Sequence, residues 1–407
     1  MVQVVLKWFR NTYKKTIKSI AFIPAIIALL FLLLSLVMVN FDFSSTGKEI
    51  KSNLHWLSLK DASTARSICS AIVSGIISLA VFSFSMVMIL LNQAASQMSN
   101  RILSKLIGNR FQQYVLGFYI GTIVYALFLL STIRDINTGI SVPAISTYLL
   151  IAFTIFDIFL FIYFLHYITQ SVKFENIIHR IYTNTKEVMK KTCSLTEMPE
   201  EYLFPADGAK LGAYKSGIYQ GFFREDLIAI AKKEDIIIKF LHPVGTFIIE
   251  GNPLAIINKQ PDSESVEEKI NVTVDIERGQ EIDINYEYGF RLLTEIAVKA
   301  LSPGINDPGT AVLALQALTD LSVYKLDHFA ETTFKDEDGT VRLIIKVKIF
   351  KEALEEYFYP IWDYGKNDRF VQTAMLHALT QLTLKGTTPE VEELYNSVRE
   401  AVSHQEI

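Results

Sequence analysis

An aspartate inside a long apolar run is the first residue of this sequence with an evident capacity for chemistry. Asp157 lies near the middle of the run 145–167. A run of that length matches the hydrocarbon core of a bilayer, where an ionisable side chain costs about 3 kcal/mol or more unless it faces water or a polar partner. Tyr125 and serines of another apolar run are the candidate partners. The carboxyl group is interpreted either as a functional site or as a protonated group bonded between helices.

A second group of polar residues recurs at helical spacing in and just before the run 68–91. The group consists of Ser67, Ser70, Ser74, Ser78 and Ser85. Small residues let neighbouring helices approach closely in a membrane, which favours tight helix packing. The alternative interpretation is a pore lining. Beyond the run the predicted helix stays polar through Gln93, Gln97 and Arg101, as at a pore mouth or at a junction with another domain.

The densest motif lies between residues 290 and 311, where one predicted helix ends and another begins. A helix from about Asp283 ends near Leu301, and a Pro-Gly pair then makes a sharp turn. Asp307 is the predicted cap of the second helix, and Pro308 is the first residue of that helix. This elbow could present polar groups and free amides to an anion. The candidate residues are Arg291, Glu295, Asn306 and Asp307. The favoured interpretation is structural, a capped helix hairpin with an i,i+4 ion pair.

Four apolar runs are each long enough to cross a bilayer as a helix, which takes about 20 residues. They cover approximately residues 20–39, 68–91, 114–133 and 145–167. The third contains Gly117 and Gly121, a GxxxG motif typical of a helix contact within or between subunits. Lys and Arg are concentrated before the first run, between the second and third, and after the fourth. This distribution predicts that both termini are cytoplasmic.

Composition separates an apolar first part of the chain from a second part of ordinary globular character. Among the 407 residues 50% are hydrophobic and 20% are charged, below the roughly 25% charged residues of a typical soluble domain. The net charge of −4 argues against a nucleic-acid-binding protein. The cysteines are Cys69 and Cys193, and the histidines are scattered, so neither a disulfide framework nor a metal site is predicted.

Five segments are predicted along the chain. Residues 1–19 form a cytoplasmic amino-terminal segment and 20–167 a four-helix transmembrane domain. Residues 168–205 are a helical stalk and linker, 206–275 a small mixed α/β domain, and 276–407 a helical or α+β carboxyl-terminal domain. The predicted fold class is an α-helical membrane protein, with four transmembrane helices followed by a cytoplasmic α+β domain whose carboxyl-terminal part is helical.

Two stretches of the chain carry a family resemblance. One runs from Phe82 to Arg101, and the other combines Arg291 with the segment from Ala300 to Ala311. The first is similar to the second span and its exit in the bacterial predicted membrane protein family DUF2254 (domain of unknown function 2254). The second is similar to that family's pattern R-x-L-x-x-I-A-x-x-A-L-S-P-G-I-N-D-P-x-T-A. Asn100 departs from the family, which usually has proline there. The resemblance covers nearly the whole chain and implies a bacterial plasma-membrane location, but no particular activity, substrate or cofactor.

The predicted function is that of an oligomeric channel or transport-like protein controlled by its cytoplasmic domain. Because four spans are few for a pore within one chain, this function requires a homo-oligomer in the lipid bilayer. The alternative is a membrane-anchored ligand-binding or signalling module with its site at the Asn306–Asp307 elbow, for a small ion or an anionic ligand. No P-loop, Ser-His-Asp order or Rossmann fingerprint is present, so neither an enzyme nor a cofactor is predicted. A hydrolase that uses Asp283 or Glu295 is the remaining enzymatic alternative.

Overall fold

The chain forms two compact units, Met1–Lys173 and Phe174–Ile407. We call the first the membrane unit and the second the carboxyl-terminal unit. The structure is a computed structural model. The residues that it describes are 19, 21–53, 59, 61–97, 110–133, 142–204, 208–259, 264–386 and 388–404.

Long apolar helices dominate the membrane unit. They are α1 (Phe22–Phe43), α2 (Ser45–Asn53), α3 (Ala62–Gln97), α4 (Arg110–Thr132) and α5 (Ala144–Ser171). Four of them, α1, α3, α4 and α5, are long and apolar enough to cross a membrane. They overlap the four apolar runs, so the prediction of four helices long and apolar enough to span a membrane is confirmed. Leu29, Val37 and Phe159 are exposed on the surface of the unit, as expected of side chains that face lipid.

The two glycines of the third span lie where α4 packs against α1. A β-carbon added at Gly117 would come within 2.6 Å of Ile27 Cδ1, and one at Gly121 within 2.8 Å of the Phe31 ring. Residues without a side chain allow two helices in a membrane to approach this closely. The GxxxG motif is therefore a contact within one chain. Tyr125, one turn further along α4, is fully buried in the same core.

The carboxyl-terminal unit combines helices with short strands, in agreement with the mixed helix and strand character predicted for it. Its elements are α6 (Phe174–Thr192), β1 (Ala209–Gly212), β2 (Gly217–Phe222), α7 (Arg224–Lys233), β3 (Ile238–Phe240), β4 (Phe247–Ile248), β5 (Pro253–Ile257), α8 (Glu264–Thr273), β6 (Val274–Glu277), α9 (Tyr286–Ala300), α10 (Pro308–Asp327), β7 (Thr333–Lys335), β8 (Val341–Ile344), α11 (Phe350–Tyr357), α12 (Tyr359–Gly365), α13 (Arg369–Lys385) and α14 (Pro389–His404).

Two sheets organise the strands of this unit. One has five strands in the order β1-β5-β3-β8-β7, and the other has three in the order β4-β2-β6. Strands β3 and β8 pair in parallel, which brings strands of the predicted segments 206–275 and 276–407 into one sheet. The sequence predicts a strand through residues 341–350, whereas the strand β8 observed in the structure ends at Ile344. Tyr219, Phe240 and Leu343 are buried in the core of this region.

Helix α6 belongs to the carboxyl-terminal unit and packs against α9. At this contact Gly289 of α9 lies against Thr185 of α6, and a β-carbon at Gly289 would collide with the Thr185 hydroxyl. The sequence predicts a stalk and linker over residues 168–205 that continues the fourth span. In the structure α5 ends at Ser171 and a separate helix begins at Phe174. The glycine thus lets α6 pack on its own unit.

Candidate functional site

The Asp157 carboxyl group is buried inside the membrane unit. It is 0% exposed, although α5 as a whole has much exposed apolar surface. The Thr122 hydroxyl of α4 faces it. Tyr119, one turn earlier on α4, lies within range of the Asp157 charge and close to the Ser83 hydroxyl of α3. We call Ser83, Tyr119, Thr122 and Asp157 the intramembrane polar cluster.

Every member of the intramembrane polar cluster has a buried oxygen that makes no hydrogen bond of ordinary geometry among the described residues, although the Thr122 hydroxyl approaches Asp157, and the Ser83 hydroxyl approaches Tyr119, closely enough for a weaker one. These oxygens are Ser83 Oγ, the Tyr119 hydroxyl, Thr122 Oγ1 and both carboxyl oxygens of Asp157. Leaving a buried polar atom unpaired costs about 1–3 kcal/mol, and more for a charged group. Helices α3, α4 and α5 therefore bring together oxygens that a proton, a cation or a water molecule would stabilise.

The predicted partners of Asp157 lie elsewhere in the membrane unit. The Tyr125 hydroxyl donates a hydrogen bond to the Ser146 carbonyl oxygen at 3.2 Å. The predicted serines all have exposed side chains; they are Ser67, Ser70, Ser74, Ser78 and Ser85. The buried residues of α3 lie on its opposite face; they are Ala65, Cys69, Ile76 and Ser83. The carboxyl group therefore meets hydroxyls that the sequence pattern did not single out.

The exposed serines define an open face of α3, which we call the serine face. The Ser78 hydroxyl donates a hydrogen bond to the Ser74 carbonyl oxygen of its own helix at 2.8 Å. A β-carbon added at Gly75, beside these serines, would meet nothing within 4 Å. In the described chain the serine face packs against no other helix, so the packing interpretation requires a second molecule.

Asp42, which sequence reasoning did not single out, joins the end of α1 to the beginning of α5. One carboxylate oxygen accepts a hydrogen bond from the Ile145 amide at 3.1 Å. The other accepts from the amide and the hydroxyl of Ser146, at 2.8 and 2.5 Å. Lys51 Nζ lies 3.2 Å from the same carboxylate. The one available signal is Pro143, which precedes α5 and offers it no side-chain cap, so the amides of α5 need an acceptor from outside the helix.

The predicted membrane-exit residues continue α3 towards its carboxyl-terminal end. Gln93 lies on α3 with an exposed side chain, and Gln97 is the last residue of the helix. Arg101 lies outside the described residues. The role predicted for this segment, a pore mouth or a domain junction, stays a prediction.

The predicted elbow joins α9 to α10. Asp307 caps α10, since its Oδ1 accepts a hydrogen bond from the Thr310 amide at 3.1 Å and its Oδ2 accepts from the Thr310 hydroxyl at 2.5 Å. Asn306 has a φ of 48°, a left-handed conformation that asparagine tolerates better than most residues. Both oxygens of the Asp307 carboxylate are thus engaged in the turn. Ligand binding at the elbow stays a prediction.

Arg291 and Glu295 lie on α9 away from the elbow. Arg291 precedes the end of this helix at Ala300 by about 13 Å along the axis, at 1.5 Å per residue. Its Nε atom lies 3.4 Å from Glu295 Oε1, and its side chain is 45% exposed. The structure therefore separates this pair from Asn306 and Asp307.

A chain of charged and polar side chains, which we call the charge network, connects α9, α10 and α11. Lys325 of α10 forms an ion pair with Glu287 of α9, and their side chains are only 8% and 10% exposed. The second Glu287 oxygen accepts a hydrogen bond from the Tyr357 hydroxyl of α11 at 2.8 Å. Lys348 Nζ donates to the same hydroxyl at 3.1 Å and also pairs with Glu356. The network thus runs without a break from a buried lysine to a partly exposed glutamate.

Burial determines the protonation of two groups near this network. Burial, and then the Glu287 charge, raise the pKa of the Tyr357 hydroxyl far above its usual value, so the hydroxyl stays a donor to Glu287. Burial also raises the pKa of the Cys193 thiol, which disfavours the reactive thiolate. Among the described residues no group of three or more His, Cys, Asp or Glu side chains is placed to hold a metal ion.

The sequence of this chain matches one family model and resembles mycobacterial proteins. A family model described as a predicted membrane protein, DUF2254, matches residues 17–381. An uncharacterized protein of Mycobacterium tuberculosis and one of Mycobacterium bovis are each 26% identical to it over 322 residues. The match covers 75% of this chain and 61% of each relative, so the chain spans about three fifths of the length of these curated relatives. No solved structure matches.

The family description indicates no enzymatic function. The match begins before α1, extends through all four candidate spans and ends within α13. Because it covers most of the chain, this protein belongs to the DUF2254 family of predicted membrane proteins.

Proposed function

We propose that this protein moves protons or small monovalent cations across the bacterial plasma membrane, with the intramembrane polar cluster as the site where the ion binds. The observation that carries the proposal is the buried Asp157 carboxyl group, whose two oxygens have no cation beside them and make no hydrogen bond of ordinary geometry among the described residues. In a medium of low dielectric constant a carboxylate needs a positive partner or a proton. A transported ion supplies that partner.

The oxygens of the cluster suit this class of ion. One carboxylate balances one positive charge, and hydroxyl and carboxylate oxygens are hard ligands suited to hard cations. Ser83, Tyr119 and Thr122 place such oxygens on two helices beside Asp157. Because Asp157 is fully buried, an ion reaches it either through a relative movement of α3, α4 and α5 or by proton transfer along the hydroxyls.

Ion flux into liposomes tests the proposal. The purified protein is reconstituted with a pH-sensitive dye in one preparation and a sodium-sensitive dye in another, and a pH or sodium step is applied. We expect wild type to dissipate at least one gradient. We expect Asp157→Asn to be at least about ten-fold slower, because an amide neither releases a proton nor neutralises a cation.

The matched control is Thr154→Val, one turn before Asp157 on α5. The Thr154 hydroxyl donates only to the Leu150 carbonyl oxygen of its own helix, at 2.8 Å, so wild-type flux is expected. The proposal fails if wild-type liposomes dissipate neither gradient faster than empty liposomes, or if Asp157→Asn transports as fast as Thr154→Val.

We further propose a multi-pass topology with both termini and the carboxyl-terminal unit in the cytoplasm. The distribution of Lys and Arg between the loops supports it, since these residues are retained on the cytoplasmic side. A reporter fused after residue 407 measures this directly: a fluorescent protein that folds only in the cytoplasm is expected to fluoresce, and a phosphatase active only outside is expected to be silent. The reverse pattern would overturn the topology.

We also propose that the protein is a homo-oligomer in the lipid bilayer, in which serine faces of neighbouring copies meet. The support is a row of small residues on α3 that packs against no helix in the described chain and suits close approach of another helix. With Cys69 and Cys193 replaced by serine, Ser74→Cys is expected to form disulfide-linked dimers in membranes. The matched control is Phe159→Cys, since Phe159 is 67% exposed on α5. Equal cross-linking of both variants would contradict the proposal.

A further inference from the structure

A cleft in the carboxyl-terminal unit opens beside the charge network. Its volume is about 360 Å³, within the usual range for small-molecule sites of about 300–1,000 Å³. One wall is the turn 243–246 between β3 and β4, and the opposite wall comes from α9 and α11. Glu287 and Tyr357 lie in it, so the charge network forms part of the wall.

The wall made by the turn is held in place by amide side chains. Asn285 Nδ2 donates to the Val244 carbonyl oxygen at 3.3 Å, and Gln280 Nε2 donates to the Gly245 carbonyl oxygen at 3.3 Å. Gly245 has a φ of 95°, and a β-carbon there would come within 2.5 Å of Asn285 Nδ2. Glycine is therefore required for the turn to approach α9 this closely. The cleft has a preformed polar wall.

The carboxylates of the cleft are largely engaged by groups of the protein itself. Glu287 is paired with Lys325, and Glu356 with Lys348. Glu352 Oε2 accepts a hydrogen bond from the Ile349 amide at 3.2 Å, at the beginning of α11. Their negative charges are therefore partly compensated before any ligand enters.

Arg291 differs from its neighbours because its hydrogen-bonding capacity is largely unused. Its one contact to Glu295 is through Nε and is long, at 3.4 Å. The two terminal nitrogens of the guanidinium group make no hydrogen bond within the described part of the chain. The side chain lines the cleft and is 45% exposed. Arg291 thus brings unused N–H donors to a cleft that Lys348 also lines.

We propose that this cleft binds a small organic anion. A guanidinium group pairs with two oxygens of a carboxylate or a phosphate at once, which gives both affinity and orientation. Lys348, whose charge Glu356 partly balances, lies at the same cleft and keeps part of its positive charge available to a ligand. Glu352 and Glu356 at the same cleft accept hydrogen bonds from hydroxyl or amino groups of the ligand, which favours a polar organic molecule over a bare inorganic anion. The anionic group binds Arg291, and the rest of the molecule lies towards α11.

Thermal unfolding of the full-length protein in detergent tests this site. Trp362 is buried in α12 of the same unit, so its fluorescence, with Trp8 and Trp56 replaced by phenylalanine, reports unfolding of this unit. Glycerol 3-phosphate and glucose 6-phosphate are the phosphate probes, and glutamate and citrate are the carboxylate probes. Sodium sulfate at equal ionic strength is the inorganic comparison. We expect a saturable rise in Tm with at least one organic probe, and the chemistry of that probe distinguishes phosphate from carboxylate.

Substitution of Arg291 shows whether the ligand occupies the cleft. Arg291→Gln is expected to weaken the apparent affinity at least about ten-fold. Lys299→Gln, an equal loss of charge at an exposed position of the same helix, is expected to bind as wild type does. If Arg291→Gln shows no unfolding transition, Arg291→Lys takes its place, since it keeps the charge and removes the paired donors.

Three results would overturn the proposal. The first is a wild-type Tm that no organic probe raises above its value in sulfate. The second is an Arg291 variant that binds as tightly as Lys299→Gln. The third is a sulfate affinity equal to that of the organic probe, which would mean an adventitious ion only.

Discussion

The two units of this protein surround their buried carboxyl groups in opposite ways. Glu287 in the carboxyl-terminal unit has a lysine on one oxygen and a tyrosine hydroxyl on the other. Asp157 in the membrane unit is even more deeply buried, and neither of its oxygens makes a hydrogen bond of ordinary geometry among the described residues. Asp42, in the same unit, is fully engaged with Lys51 and the beginning of α5. The lack of a strong partner is thus a property of the Asp157 site and does not hold for every buried carboxyl group of the membrane unit.

This difference separates a structural carboxylate from one that is available to an ion. A carboxylate with two strong partners stabilises the fold, and a ligand would have to displace a partner in order to bind it. A carboxylate without partners destabilises the fold unless something else neutralises it. Natural proteins commonly hold such destabilised groups at functional sites. This difference supports a structural role for Glu287 and the ion-binding role proposed for Asp157, and each role predicts a different response to substitution.

Breaking the buried ion pair of the charge network is expected to have the largest effect. Lys325→Met leaves Glu287 buried without its cation, which destabilises a protein by about 3–5 kcal/mol. The matched control is Lys186→Met, whose partner Asp320 is 51% exposed, and such surface pairs contribute about 0–1 kcal/mol. Urea unfolding followed by Trp362 fluorescence measures both. Equal losses in the two variants would show that Glu287 does not depend on Lys325.

The same chemical change at the two carboxyl groups is expected to act in opposite directions. Glu287→Gln weakens two hydrogen bonds of the network and should lower the free energy of unfolding by about 2 kcal/mol. Asp157→Asn removes an uncompensated acid, so the membrane unit should keep its stability or gain some. In a Cys193→Ser background, reaction of the buried Cys69 with a thiol dye during heating reports unfolding of the membrane unit. A clear loss of Tm in Asp157→Asn would mean that the carboxyl group is structural after all.

The architecture of the membrane unit was predictable because hydrophobicity alone determines it. Runs of about 20 apolar residues have no other stable arrangement than a spanning helix. The neighbours of Asp157 were not predictable in the same way, because they depend on how helices rotate against each other. Ser83 and Ser85 differ by two positions on α3, yet the first is buried and the second is exposed. Periodicity gives the angle between two residues of a helix but not which face turns inward.

The elbow and the charge network show the same limit in the carboxyl-terminal unit. The capping role of Asp307 depends on residues next to it in the chain, so sequence reasoning could anticipate it. Glu287 pairs with Lys325 and Tyr357, which lie 38 and 70 residues further along the chain on two other helices. A glutamate in the first turn of a helix and a lysine in the last turn of another are ordinary surface patterns. Only the tertiary packing shows that these charges are buried.

The glycine contacts of the membrane unit give a smaller effect that tests its packing. Gly121→Ala places a methyl group within 2.8 Å of the Phe31 ring, and overpacking of this kind costs about 1–3 kcal/mol. Gly75→Ala on the serine face meets nothing within 4 Å, so in a monomer it should be neutral or slightly stabilising. The Cys69 dye assay measures both variants. A loss in Gly75→Ala comparable to that in Gly121→Ala would show that the serine face is packed against another copy in detergent.

The smallest expected effect is a pH dependence of the free energy of unfolding that arises from Arg342. The guanidinium group of this residue bonds Asp336 at 2.7 Å and Asp235 at 2.9 Å. The hydrogen bond from Arg342 lowers the pKa of Asp336 below its usual value of 3.8 and acts in the same direction on Asp235. A lowered pKa in the folded state adds stability that is fully present above pH 4 or so and is lost as the pH falls through the lowered value.

Arg342→Gln should therefore be less stable than wild type at about pH 6, and the difference should shrink as the pH falls towards about 3. Unfolding monitored by Trp362 over this range gives both curves. Asp235 and Asp336 each form an ion pair with Arg342, as Glu287 does with Lys325. We therefore group these two aspartates with the structural carboxylates. A difference that stays constant with pH would mean that Arg342 stabilises strands β7 and β8 by packing alone, and the contrast with Asp157 would then depend on Glu287.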